Sequence, residues 1–206
     1  KRFLLFVFFL PLIAFGQNVN IPDANFKAYL VGNTAINTNG DTEIQISEAI
    51  VFNGTINCNN LNISDLTGIA DFTALTHLYC GGNQLTSLDL SQNTALTKLW
   101  CSSNQLPTLD VSNNTALIEL WCDFNSLTSL DVSNNTALIQ LWCYFNQLTS
   151  LNVSGANALI ELLCSNNQLT SLDVSNNTAL TELRCFFNQL TSLNVSGATD
   201  LEELWC

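Results

Sequence analysis

Apolar and polar positions alternate in this chain on a fixed 21-residue beat. From Leu96 to Ala116 the pattern is Leu-x-x-Leu-x-Cys-x-x-Asn-x-Leu-x-x-Leu-Asp-Val-Ser-x-Asn-x-Ala, and near copies start at Leu75 and continue to the last residue. Cysteines mark the beat at Cys58, Cys80, Cys101, Cys122, Cys143, Cys164, Cys185 and Cys206. The first step is 80 − 58 = 22 residues, and each later one, such as 101 − 80, is 21. A constant step of this length marks a stacked repeat architecture. On an extended segment alternate side chains share a face, so Leu99 and Cys101 point one way and Trp100 the other. The same holds for Leu120 and Cys122, and for Leu141 and Cys143. No single unit buries its leucines alone. Parallel coils stacked about 4.8 Å apart do so together. The column Asn83, Asn104, Asn125, Asn146, Asn167 and Asn188 predicts a turn whose amides satisfy backbone groups as the chain leaves the strand. A second inward set follows, Leu106, Leu109 and Val111 in one coil and Leu127, Leu130 and Val132 in the next. Each coil is therefore predicted to have two short extended sides and little helix.

The stretch 17–54 lacks this pattern and predicts a helical cap. Pro22 and Asp23 suit a helix start, Phe26, Tyr29 and Leu30 share one face, and Gly32 ends the run. A second short helix is predicted over Ser47–Phe52. Between the two lies a twelve-residue segment with the spacing of a calcium loop: Asn37, Asn39 and Asp41 at positions one, three and five, the Glu43 carbonyl at seven and Glu48 at twelve. Asn at position one and Thr42 in place of the sixth-position Gly weaken that match. The segment reads either as a calcium loop or as a degenerate helix-loop-helix that covers the open end of the stack. Residues 55–74 form an irregular first coil, with Leu61, Ile63, Leu66, Ile69 and Phe72 as its expected core.

The repeat motif resembles that of the leucine-rich repeat family in a short form. It is especially similar to secreted or surface repeat proteins of Bacteroidetes-type bacteria, with a distant likeness to internalin repeats. The resemblance covers 17–206 and departs from the family where Cys stands in place of Leu. It implies a leucine-rich repeat solenoid with a parallel β-sheet on the concave side, a mostly extended, irregular convex side and little helix, preceded by the small helix-loop-helix cap. The domain division is 1–16, 17–54 and 55–206, the last holding about seven repeats and ending mid-strand at Cys206. The family likeness implies further repeats and a C-terminal sorting domain beyond that point.

On the concave side the outward column is Tyr79, Trp100, Trp121, Trp142, Leu163, Arg184 and Trp205, which holds all four tryptophans. Beside it run His77, Lys98, Glu119, Gln140, Glu161, Glu182 and Glu203. The strand exits add Asp123, Phe124, Tyr144, Phe145, Phe186 and Phe187. Exposed aromatics rimmed by acids are unusual on a surface that meets only water. The rings either stack across strands and stabilise the sheet, or anchor a partner. The densest group is Trp121, Phe124, Trp142, Tyr144 and Phe145. With Glu119 and Asp123 nearby it suits a basic or neutral protein or peptide. A glycan is the alternative, since flat sugar faces also stack on Trp, and a purely structural spacer is the third reading. The column Asp89, Asp110, Asp131, Asn152, Asp173 and Asn194 reads as turn caps rather than a calcium row. The cysteines read as buried free thiols, because a coil step of about 4.8 Å exceeds the ~3.8 Å that a disulfide needs between Cβ atoms.

Charge narrows the partners. Seventeen acids face five bases, a formal net charge of −12. That balance excludes nucleic acid and anionic membrane as electrostatic partners. The opening Lys1-Arg2 followed by the apolar run Phe3–Phe15, with Ala14 and Gly16 before Gln17, reads as a signal peptide. After its cleavage no segment spans a bilayer, so the protein is expected outside the cell or on its outer surface. One histidine, His77, with no nucleophile–base pair, and a Gly81-Gly82 pair that precedes no helix, argue for a non-catalytic interaction module in adhesion or partner docking. No cofactor beyond the calcium alternative is implied.

Overall fold

The structure, a computed structural model, describes residues 17–206. The signal-peptide stretch at 1–16 lies outside the described residues. Helix α1 spans Ala24–Gly32, with Asp23 as N-cap accepting from the backbone of Asn25 and Phe26. It buries Phe26 and Leu30 against the first coil, and the Tyr29 hydroxyl accepts from the Asn57 N–H at 2.8 Å. Helix α2 spans Ile46–Ala49, shorter than the predicted Ser47–Phe52 and starting one residue earlier. Glu48 reaches back to accept from the Gln45 N–H at 3.0 Å, which sets the start.

The coils then follow as three-residue strands: β1 (Thr55–Asn57), β2 (His77–Tyr79), β3 (Lys98–Trp100), β4 (Glu119–Trp121), β5 (Ser129–Asp131) and β6 (Gln140–Trp142). They continue as β7 (Ser150–Asn152), β8 (Glu161–Leu163), β9 (Ser171–Asp173), β10 (Glu182–Arg184), β11 (Ser192–Asn194) and β12 (Glu203–Trp205). One eight-stranded parallel sheet runs β1-β2-β3-β4-β6-β8-β10-β12, in register so that Trp100 pairs with Trp121 and Leu120 with Leu141. The central leucines of β2, β3, β4, β6, β8 and β10 and the cysteines from Cys58 to Cys185 are buried, and those thiols are free, whereas Leu204 of β12 is exposed. Burial pushes Cys58 and Cys101 up to about 12 and Cys185 to about 11, so the thiolate is suppressed at neutral pH.

Side-chain amides join the coils. Asn104 accepts from the Leu85 N–H at 3.0 Å and donates to the carbonyls of Cys80 and Cys101, and Asn125, Asn146, Asn167 and Asn188 repeat this one coil further on. Leu61, expected in the core, is exposed instead. It stands at the place of Asn83 in the next coil, in the turn between Asn60 and Asn62, both at positive φ (58° and 55°), so its side chain turns outward. The extra residue of the first step falls between Leu66 and Ile69, beside Gly68 at φ 100°.

A second amide column was not read from the sequence. Asn93, Asn114, Asn135 and Asn177 are fully buried on the convex side, each donating to two carbonyls of the preceding coil. Each wedges two coils apart. Where the column changes to Ala156 and Ala198 the wedge is gone, and among the described residues only there do the convex strands pair directly, β5 with β7 and β9 with β11. The same two coils carry Gly155 and Gly197, whose added Cβ would sit 1.8 and 1.7 Å from the carbonyl oxygens of Ser133 and Ser175. They also carry Asn152 and Asn194 in place of Asp, and Asn152 donates to Asp131 at 3.1 Å. Two carboxylates so close would repel.

The remaining acids of that column cap turns, each accepting from the N–H two residues on, as Asp110 does from Ser112 at 2.9 Å. The serine hydroxyl and N–H hold Asp110, Asp131 and Asp173 below the ordinary value of 3.8, and for Asp89 the N–H leads. Burial alone would raise Asp23 and Glu48, but their backbone and hydroxyl hydrogen bonds outweigh it and lower both. A lowered carboxylate contributes stability that is complete above its unfolded value and is lost as pH falls through the folded one. Asp123 runs the other way, raised by burial, so its cost fades on acidification. With six lowered groups against one, the urea midpoint is expected to be level from neutral pH to about 5 and to fall steeply below about 4.

Candidate functional site

The concave strands place every second side chain outward, and the predicted aromatic column comes together there. Tyr79, Trp100, Trp121 and Trp142 form one continuous stack, with ring centroids 4.1, 4.0 and 4.0 Å apart and the three indoles within 4° of parallel. Stacking leaves these rings half-buried rather than open, which corrects the expectation of exposed indoles. Their faces are spent on one another. The Trp142 Nε1–H donates to Glu161 at 2.8 Å, while the Nε1 atoms of Trp100 and Trp121 are buried without a partner. The stack stops at Leu163, and Arg184 and Trp205 further along the column are exposed. The flanking polar row is knitted together. Lys98 pairs with Glu119 at 2.6 Å, Gln140 donates to Glu161 at 2.9 Å, and Arg184 pairs with Glu182 at 2.6 Å.

The strand exits are chemically sharper. Gly82, Ser103, Phe124, Phe145, Asn166 and Phe187 occupy one column, and all have φ between 50° and 66°. This left-handed region suits Gly and Asn and costs a bulky residue about 1–2 kcal/mol. Phenylalanine nevertheless stands there three times, with Phe124 and Phe145 each 47% exposed and Phe187 76% exposed. Phe124 and Phe145 stack at 4.6 Å, and Tyr144 sits edge-on to both at 5.5 and 5.9 Å. Beneath them the Asp123 carboxylate is buried and accepts from the Ser102 hydroxyl at 2.6 Å. Burial raises Tyr144, and the neighbouring Asp123 charge adds to it. The exits thus present an apolar lip beside the indole stack. The sequence named Phe124 and Phe145 for their exposure. The mixture of Gly, Ser and Asn in the same column was the available signal for their backbone state.

The calcium-like loop closes on itself. Both Glu48 oxygens are engaged, one by Thr38 and Asn39 and the other by Gln45. Asn37 Oδ1 accepts from the Gly40 N–H, and its amide donates to the Val31 and Asp41 carbonyls. Asn39 and Gln45 both donate to Asp41, and the Glu43 carboxylate pairs with Lys27 at 2.6 Å. Among the described residues no group of three or more His, Cys, Asp or Glu is placed to hold a metal. With its oxygens so engaged the loop is expected to act as a cap, and added calcium or EDTA to leave the thermal midpoint unchanged; a rise with calcium would point to the cation instead.

The comparisons with known proteins agree with this geometry. The profile of the leucine-rich repeat (two copies) matches residues 73–114, and that of the LVIVD repeat matches 150–186. The chain is a leucine-rich repeat solenoid with a small helical N-terminal cap. Within that fold it is similar to the internalins. It is 43% identical over 72 residues to internalin J of Listeria monocytogenes serotype 4b (strain F2365), a match covering 35% of this chain and 8% of that protein. The solved functional domain of internalin J, described as including a cysteine ladder, superposes with a TM-score of 0.53 at 35% identity, over 90% of this chain and 50% of that one. This chain likewise carries a column of cysteines, one per coil from Cys58 to Cys206. Internalin C2 of Listeria monocytogenes superposes with a TM-score of 0.64 over 94% of this chain and 99% of that one. At 19% identity this shows the fold alone. The chain spans half the length of the solved internalin J domain. No helix among the described residues is long and apolar enough to cross a membrane.

Proposed function

We propose that this chain is a non-catalytic, exported or cell-surface interaction scaffold that binds a protein or peptide through the concave face and its aromatic lip. The observation that carries this is the placement of Phe124, Phe145 and Phe187, exposed, in a backbone state that disfavours them. Strain of this kind persists where something other than stability selects it. A pure spacer has no use for it, because Gly82 and Asn166 fill the same position in other coils. Adhesion or adaptor docking is the role such a surface suits, in keeping with the internalin likeness.

Face-to-face stacking leaves ring edges toward solvent on the indole column, so a sugar finds few free faces to stack on. This favours a protein ligand over a glycan. The test is a selection from a displayed random-peptide library on the immobilised chain, beside a glycan panel. Peptides are expected to be enriched, to bind in solution, and to lose affinity when Phe124 and Phe145 are both changed to Asn. Enrichment of nothing, or of glycans whose binding ignores the double substitution, overturns the reading.

A further inference from the structure

The aromatic lip has a missing rung. Backbone hydrogen bonds carry the parallel register through the exits, from the Phe145 N–H to the Ser165 carbonyl, from Asn166 to Phe186 and from Asn167 to Phe187. The four residues Phe124, Phe145, Asn166 and Phe187 therefore share one column and one backbone conformation, with φ of 51°, 50°, 54° and 53°. The first two rings stack one coil apart at 4.6 Å. Phe145 and Phe187 lie two coil steps apart, about 9–10 Å. Between them Asn166 supplies only a short amide, and among the described residues that amide makes no hydrogen bond. Ser165 beside it is buried, and Phe186 stands edge-on to Phe187 at 5.3 Å. By that spacing the Phe145 and Phe187 positions flank a notch at Asn166, with an unused amide between them and the separation that one flat group stacked against both rings needs.

The charge of the chain decides what enters. Every basic side chain among the described residues is already paired, Lys27 with Glu43, Lys98 with Glu119 and Arg184 with Glu182. The seventeen acids leave the surface strongly negative. A guanidinium is planar, stacks on aromatic faces, and donates to an amide oxygen. We infer that the notch between Phe145 and Phe187 takes an arginine side chain of a basic partner segment laid along the lip. This rests on the proposed interaction role and specifies its ligand chemistry.

The probe is a labelled peptide of alternating arginine and glycine, with glutamate–glycine and proline–glycine peptides of equal length as controls, titrated against the full chain. Asn166→Phe supplies the missing rung and closes the notch without changing charge, and Phe187→Asn removes one wall. Saturable binding of the arginine peptide that weakens about tenfold in either variant, with the cooperative melt retained, is the expected result. Should Asn166→Phe fail to fold, Phe187→Asn carries the same comparison. Equal affinity of the wild type and the folded variants for the arginine peptide overturns the notch but leaves the interaction role standing, since library-selected peptides still respond to Phe124 and Phe145. Absence of arginine-peptide binding, or equal binding of the proline or glutamate peptide, also overturns it.

Discussion

Gly155→Asn is expected to destabilise the solenoid by about 3 kcal/mol or more. The new Cβ would sit 1.8 Å from the Ser133 carbonyl oxygen, and backbone rather than a mobile side chain must move. The wedge column explains the squeeze. At the preceding junction Asn135 donates to the Val111 and Asn114 carbonyls and holds the coils apart. At this junction Ala156 holds nothing apart, and the Val132 N–H bonds directly to the Asn152 carbonyl at 2.9 Å. The cost should therefore be conditional. Adding Ala156→Asn and Asn152→Asp copies the wedged junction and is expected to recover stability to within about 1 kcal/mol of wild type, a large positive coupling in a mutant cycle. Urea denaturation of the single and triple variants checks it. A triple variant no better than the single one would show that the three positions are independent.

Asn104→Leu should cost about 2–4 kcal/mol despite its near-equal volume. The amide is buried, and its loss leaves the Leu85 N–H and the Cys80 and Cys101 carbonyls without that partner. Burying such groups unpaired is what makes the change expensive. Because each coil contacts only its neighbours, the loss should open the stack locally. Hydrogen exchange is expected to rise around Leu85 and Cys101 first, while the distant Leu183 coil keeps its protection. Uniform loss of protection along the whole chain would contradict a coil-by-coil account.

What the sequence revealed and what it hid divide along physical lines. The 21-residue beat is a consequence of burying Leu99, Leu120 and their equivalents in one core, so the solenoid, the inward thiols and the Asn104 type of turn were legible. Ring stacking was legible as an option only. Whether Trp121 turns its face to Trp142 or to water depends on rotamers that spacing does not encode. The wedge was hidden because Asn114 and Asn135 look like surface polar residues in a loop. The simultaneous change of Asp, Asn and Asn to Asn152, Gly155 and Ala156 was the trace it left. Leu61 misled because an apolar residue stands at the turn position that Asn83 and its equivalents hold in the later coils. The calcium spacing of Asn37 to Glu48 was visible, yet spacing does not say that Glu48 spends both oxygens on the backbone and Thr38.

The proposed binding role depends on phenylalanines kept at backbone positions that favour Gly or Asn. Phe187→Asn probes this most directly, because that ring is 76% exposed and has the least packing to lose. Urea midpoint and affinity for a library-selected peptide are measured on the same preparation. The expected pair is a stability equal to wild type or up to about 1 kcal/mol higher, with weakened binding. Stability lower by more than about 1 kcal/mol with undiminished affinity would mean that the ring serves the fold and not a ligand.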